Sequence, residues 1–449
     1  MALDALTVWE VDTGGDDTNG GGYVSDAGTT DYSQQTSAQL SLTDIDQPSA
    51  SSTTITSATG GFTDAMVGNI INLSSGTNLT VGLYEIATRV DTNTITLDRF
   101  PDDGTALTGD TVGKVGGAFA TPGKLVDALT VAGMIAWIKT GTYTLTTATP
   151  GAAGPLNLSG TTVTVVIKGY NSTRGDLDGQ SAITNKPVID AGAITSITIL
   201  DMTPSNTNTA PTVIGIVVDG NSGTSNNGII GNNIRQRAVN CHARDCPGTG
   251  FTATAISCEA DGCGDGFTAM LNRLCVAHGC TRGFKLGAEA VLTDCVAYSN
   301  TVDGFGSSGF SNRSSLVNCI ADDNGGDGFD TGSGVILVNC VSTNNTGPGY
   351  RTAGASVLWN CFHYNNTGGD TIGTFEDATT LSELAGDPWD ATGDYRPIAT
   401  GGGAELRAAS TGFVGWTHNQ NAGGVQHADP AGGAGGLLTH PGMTGGMRG

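Results

Sequence analysis

The chain has 449 residues, of which 70 are Gly and only 14% are charged, a composition of folded, loop-rich β proteins that excludes a disordered polyampholyte. Its 42 acidic and 19 basic residues leave a net charge of −23, which excludes an electrostatic hold on nucleic acid or an anionic membrane. No stretch approaches the roughly 18 apolar residues of a membrane span, and Met1–Val11 has neither a basic nor a long apolar segment, so a protein without membrane insertion or export signal is expected.

Residues 1–117 carry strand-like runs at Asn69–Leu73, Gly82–Thr88 and Asn93–Leu97, preceded by Ser/Thr/Gly/Asp-rich loops. They are expected to form a small β domain for docking or assembly. At Thr121-Pro122 a helix start is signalled, and Leu125, Val126 and Leu129 share one face of a short amphipathic helix near 121–132. An open solenoid end needs such a cap, and the strand-like Ala136–Thr144 follows it. Looser coils are expected at Val163–Gly169, Ile197–Leu200 and Ile214–Asn221.

The middle of the chain is periodic. Cys241, Cys258, Cys275, Cys295, Cys319, Cys340 and Cys361 recur at spacings of 17, 17, 20, 24, 21 and 21. A Gly-aromatic pair follows each of the first six, ending in Phe251, Phe267, Phe284, Phe305, Phe329 and Tyr350. Five residues after each cysteine comes a third column: Cys246, Cys263, Cys280, Asn300, Asn324, Asn345 and Asn366. A period of about 20 is too short for paired-helix repeats, so strands must make the coil. In a parallel β-helix, equivalent side chains stack at the inter-strand spacing of about 4.8 Å. The cysteines and aromatics then read as core ladders, and the third column as a turn ladder in which Asn bonds the Asn of the next coil. Gly before each aromatic is expected to supply a positive φ. Zinc binding, with His242 and His278 nearby, and disulfides compete with buried free thiols as readings of the cysteines. His363 reads as a third coil or core histidine.

The capping helix, the Gly141-Thr-Tyr143 strand, the Ile214-Gly-Ile-Val-Val-Asp-Gly-Asn221 coil and the repeated Asn…Gly-Asp-Gly-Phe coils together resemble the right-handed parallel β-helix superfamily typified by pectate lyases. The resemblance covers about 120 to 370. It implies an all-β, right-handed, single-stranded parallel β-helix over 118–370. A closing segment over 371–398, carrying the Asp387-Pro-Trp-Asp-Ala-Thr-Gly-Asp-Tyr395 motif, and a Gly/Ala-rich arm over 399–449 follow.

In the lyases and hydrolases of that superfamily, carboxylates bind calcium or act as acid and base beside an Arg or Lys. The corresponding candidates here are Asp265, Asp303 and Asp327, the pair Asp322-Asp323, and the bases Arg282 and Lys285, none within a matching catalytic signature. Asp265, Asp303, Asp327 and Asp219 read first as turn residues, with calcium as the alternative and no other cofactor. The resulting expectation is a non-enzymatic structural protein of a bacteriophage or phage-like particle: a head decoration, spike or fibre. It would be assembled in the host cytoplasm and displayed on the particle. Its expected partners are further copies of itself, a trimer being favoured, other particle proteins and a cell-surface glycan. The alternatives are a polysaccharide lyase or hydrolase, exported or tailspike-like, and a glycan-binding adhesin.

Overall fold

The computed structural model describes residues 3–151, 154–159, 162–177, 183–204, 209–307, 313–352, 354–372, 375–377, 381–384, 416–419 and 424–427. The Asp387–Tyr395 motif lies outside them, as does most of the arm expected over 399–449. The chain divides into two compact units, Met1–Gly264 and Asp265–Gly449.

In the first unit, β1 (Thr7–Val11) pairs antiparallel with β2 (Gly22–Val24). Six further strands close a barrel: β3 (Leu40–Asp46), β4 (Thr54–Ser57), β5 (Ile70–Ser75), β6 (Gly82–Asp91), β7 (Thr94–Leu97) and β8 (Thr108–Val115), in the order β3-β4-β7-β6-β5-β8. Its interior is filled by Leu42, Ile45, Ile55, Ile71, Tyr84 and Ile95, as alternation along the strands requires. Then come a 3₁₀ turn with Pro122 at its start, α1 (Leu125–Ala128) and β9 (Ile135–Lys139). The helix is shorter than the expected span near 121–132, and buries Leu125, Ala128 and Leu129.

The domain expected over 1–117 is therefore divided. Strand β1 runs parallel to β9, Val8 facing Ile135 and Val11 facing Ile138, and so forms part of the coil sheet. The barrel is an insertion spanning 40–115. Coil strands follow in register; in one sheet Val166–Tyr170 lies beside β9, then Thr212–Ile214, Arg237–Val239 and Thr254–Ile256.

The second unit repeats one coil. One sheet stacks Leu271–Arg273, Val291–Thr293, Ser315–Val317, Ile336–Val338 and Ser356–Trp359. The next stacks Val276–His278, Val296–Tyr298, Ile320–Asp322, Val341–Thr343, Cys361–Tyr364 and Leu381–Glu383. The last stacks Asp265–Phe267, Arg282–Leu286, Phe305–Ser307, Phe329–Thr331, Tyr350–Thr352 and Thr371–Ile372. All of these pairings are parallel, so the unit is a parallel β-helix with three sheets. Coil strands reach Glu383, beyond the expected end at 370.

The corners are made by left-handed residues just before the two ladder columns. Asn240, Ser257, Leu274, Asp294, Asn318, Asn339 and Asn360 precede the first cysteine column, with φ between 52° and 58°. Asp245, Gly262, Gly279, Ser299, Asp323, Asn344 and Asn365 precede the second column, also at positive φ. Asn, Asp and Gly tolerate this region best, which explains their recurrence there.

The glycines of the Gly-aromatic pairs do not have positive φ, so the expected reason for them is wrong. Their role is close approach. A Cβ on Gly304 would lie 2.8 Å from Asn324 Nδ2 and 2.9 Å from Gly328 O; one on Gly328 would lie 2.1 Å from Ser342 Oγ. Only a residue without a side chain fits beside the asparagine column.

Candidate functional site

The ten cysteines are buried and free. Within the first unit Cys241 Sγ lies 3.3 Å from Val239 O, and Cys258 Sγ 3.3 Å from Ala238 O. In the second unit, burial pushes the thiols of Cys295, Cys319, Cys340 and Cys361 well above their ordinary value. Thiols held protonated in this way are packing groups rather than nucleophiles. The aromatic column is equally committed to packing. Phe267, Phe284, Phe305, Phe329 and Tyr350 stack with ring centroids 4.7 to 5.1 Å apart and planes within 10° of parallel. Phe251, in the first unit, is fully buried.

The asparagines bond from coil to coil. Asn300 Nδ2 donates to Asn324 Oδ1 at 2.9 Å, Asn324 Nδ2 to Asn345 Oδ1 at 2.8 Å, and Asn345 Nδ2 to Asn366 Oδ1 at 2.8 Å. Each Oδ1 also receives the backbone N–H of the preceding ladder residue, beginning with Cys280 on Asn300. A second ladder links Asn318 to Asp294, Asn339 to Asn318 and Asn360 to Asn339 at the outer corner.

Chemistry-bearing side chains gather on the outer face of the aromatic-bearing sheet of the second unit. Asp265 pairs with Arg282 at 3.1 Å and Lys285 at 2.9 Å. Asp327 pairs with Arg351 at 2.9 Å, and its backbone N–H donates to Asp303 Oδ1 at 3.1 Å. Register aligns Lys285 with Gly306, Gly306 with Asp330, and Asp330 with Arg351. Gly306 is closely enclosed there, since a Cβ on it would lie 3.0 Å from an Asp303 carboxylate oxygen and 3.1 Å from Arg282 Cδ.

Burial raises Asp327 to about 6 against the pull of Arg351, with repulsion from Asp303 and Asp330 adding to the rise. Asp330 is raised for the same reasons, burial first and then Asp303, against Arg351 and Arg282. Such a group can give or take a proton near neutrality, and the flanking guanidiniums would stabilise an anion.

The structure thus brings Asp265, Asp303, Asp327, Arg282 and Lys285 to one face. None of the three acids is a left-handed turn residue, and Asp265 opens a strand. A calcium ion on Asp265 or Asp327 would have to displace their basic partners. Asp322 lies elsewhere, accepting from Thr343 at 2.5 Å and Asn344 at 3.0 Å. His278 stacks on Tyr298, His363 Nδ1 faces Asp370 at 2.7 Å, and His242 is buried. Asp330 and Arg351 were missed in the sequence, although each follows an aromatic of the core ladder and period two turns such a position outward.

The first unit holds a separate buried network. Arg174 reaches Glu10 and Asp31, each at 2.7 Å, and Ser33 Oγ at 2.9 Å, while the Tyr170 hydroxyl donates to Glu10. Burial pushes Glu10 up to about 7 despite Arg174. The network ties the first coil strand to the loop after Tyr170. Asp219, expected at a turn, pairs with Arg244 at 2.7 Å at a strand end.

No protein-family model and no curated protein matches the chain. Among solved structures it is similar to a mannuronan C-5 epimerase A-module of Azotobacter vinelandii, at 17% identity and TM-score 0.34, over 52% of this chain and 70% of that one. It is also similar to the ORF18 protein of Geobacillus virus E2, at 13% identity and TM-score 0.34, over 56% of this chain and about half (52%) of the viral one. A third is pectate lyase Pel9A, at 14% identity and TM-score 0.31, over 62% and 75% of the two chains. The in-register parallel strands of each unit give this chain the parallel β-helix fold.

Proposed function

We propose that this chain is a non-enzymatic structural protein of a bacteriophage or phage-like particle, a head decoration, spike or fibre, with the β-helix coils as a rigid body. The observation carrying this reading is the continuous in-register stacking of buried side chains, with Phe rings 4.7 to 4.8 Å apart and asparagine amides bonded at 2.8 to 2.9 Å. Coils so coupled resist bending, and the barrel inserted between β1 and α1 is available for attachment. Further copies of the chain, in a trimer, and other particle proteins are the partners this reading implies. Sedimentation of particles followed by mass spectrometry and labelled imaging tests it. Finding the chain on particles supports the proposal, and finding it free in every fraction overturns it.

One observation favours a second reading, a polysaccharide lyase or hydrolase: Asp327, raised to about 6, beside Asp330, Asp303 and Arg351. Incubation with acidic polysaccharides, with and without calcium, would then release unsaturated or reducing ends, and Asp327→Ala would abolish the release.

A further inference from the structure

In the first unit, Lys186 stands just before the coil strand Val188–Asp190 and is buried, with 4% of the residue exposed. Its Nζ donates to Asn240 Oδ1 at 3.0 Å, at the left-handed corner that precedes Cys241. The amide is neutral, and burying an ammonium is costly unless an anion lies near. Burial pushes the Lys186 pKa down, and the negative charges that act against that push are those of Cys241, Cys258 and Glu259. Two of these three are thiols.

Cys241 and Cys258 lie one coil apart. Register sets Val239 beside Ile256, the Glu259 N–H donates to Cys241 O at 3.0 Å, and the two thiols are hydrogen-bonded to one another. Strands at about 4.8 Å bring the two Cα atoms within the roughly 4.4 to 6.8 Å that a disulfide spans. Stacking alone does not single them out, because Cys295, Cys319, Cys340 and Cys361 are stacked in the same way. The difference is in the thiolate. In the second unit, burial and the neighbouring thiols push these four groups well above their ordinary value. Burial acts on Cys241 too, but the hydrogen bond from Cys258, the Ile216 backbone and the Lys186 charge outweigh it and hold the thiol below its ordinary value. Cys258 keeps its proton, raised by burial and by Cys241. The thiolate is the nucleophile in thiol oxidation, and a cation beside it favours it.

We infer that Cys241 and Cys258 are a site of reversible covalent modification, at which a peroxide converts them to a disulfide tying two consecutive coils together, with Lys186 as the positioning residue. The Cys241 thiolate attacks one peroxide oxygen, the O–O bond breaks, and hydroxide leaves and takes up a proton to become water. The Cys258 sulfur then attacks the Cys241 sulfur. The S–S bond forms as the S–O bond breaks, and the Cys258 proton goes to the departing hydroxyl to give a second water. The two sulfurs supply the two electrons that reduce the peroxide. The site is the same whether the chain is structural or enzymatic.

Hydrogen peroxide added to the full folded chain, followed by denaturing alkylation and peptide mapping by mass spectrometry, tests the inference. A peptide linked through Cys241 and Cys258 is expected. It should form about tenfold faster, or more, than any link among Cys295, Cys319, Cys340 and Cys361, the effect of about one pKa unit on the thiolate population. Dithiothreitol should return both thiols. Lys186→Met should slow the link about tenfold, and Cys319→Ser should leave its rate unchanged. Melting curves establish that each variant folds; where Lys186→Met does not, the rates of the two cysteine groups in the parent chain decide. The inference is overturned by the absence of the Cys241–Cys258 link, by a link no faster than those of the second unit, or by a folded Lys186→Met that links at the parent rate.

Discussion

The cysteine-cornered coils and the asparagine-cornered coils have the same backbone turn but are held by different physics. Cys246, Cys263 and Cys280 sit one residue after a left-handed corner, as do Asn300, Asn324, Asn345 and Asn366. Each thiol is near carbonyl oxygens: Cys246 Sγ lies 3.3 Å from Arg244 O, Cys263 Sγ 3.5 Å from Asp261 O, and Cys280 Sγ 3.3 Å from His278 O. A thiol is a weak donor, so these contacts contribute mainly packing. Asn324 and Asn345 instead each accept a backbone N–H and an amide N–H from one side and donate to a further amide on the other. Asn324 takes both from Asn300, at 3.2 and 2.9 Å, and donates to Asn345 at 2.8 Å and to Ala297 O at 3.2 Å. The same corner is therefore filled by volume in one region and wired by directional bonds in the other.

The sharpest way to break the wired region is to remove the space it needs. Gly328→Ala places a methyl 2.1 Å from Ser342 Oγ and 2.8 Å from both Asn345 Nδ2 and Gly349 O. A cost of about 3 kcal/mol is expected, the upper end for overpacking, and chemical denaturation would measure it. Asn324→Ala comes next. It leaves the Asn300 amide and backbone N–H and the Asn345 acceptor short of partners in a buried site, for about 2 to 3 kcal/mol. Asn324→Cys imports the other region's residue and keeps most of the volume, so about 1 to 2 kcal/mol should be lost, through the bonds alone. Cys263→Ala tests the converse, because a corner filled by volume should lose only about 1 kcal/mol on losing its sulfur. Equal costs for Asn324→Ala and Cys263→Ala would erase the distinction.

Much of this was legible in the sequence because a solenoid writes its contacts at a fixed local period. Cys295, Asn300 and Phe305 each recur one coil on, and the structure joins them where the columns align. The corners were less legible. Left-handed positions are filled by Asn, Asp, Ser, Gly and even Leu274, a set too mixed to form a visible column. Gly304 and Gly328 were misread because close approach and positive φ both select glycine, and only the distance to the next coil's asparagine separates the two causes. The pairing of β1 with β9 across the whole barrel has no local signal, since the barrel's strands alternate much as coil strands do. The charged face was half legible: Asp265, Asp303 and Asp327 share one column, but the pairing of Asp265 with Lys285 and of Asp327 with Arg351 depends on outward positions beyond the aromatics.

The smallest expected effect concerns the outer surface of the asparagine-cornered coils, where Asp327 lies on the outward side of the wired corner. Burial there raises its carboxyl from 3.8 to about 6 in the folded chain. A carboxyl raised on folding binds its proton more tightly in the native state than in the unfolded one. Its stabilising contribution is then complete below about pH 4 and is lost as the pH rises through about 6. Between those values this group should lower the melting temperature as the pH increases, opposite in sign to ordinary acid denaturation. Glu10 and Glu85, raised by burial to about 7 in the first unit, act in the same direction at higher pH, so the reading must be a difference between chains. Asp327→Asn should flatten the dependence between pH 4 and 6.5 relative to the parent and leave the slope above pH 7 unchanged. Arg351→Ala should steepen the same segment, because the guanidinium at 2.9 Å is what draws the Asp327 carboxyl downward. Parallel curves for all three chains would mean that Asp327 titrates alike in the folded and unfolded chains, with or without the guanidinium, and would remove the proton-exchanging group on which the enzymatic reading depends.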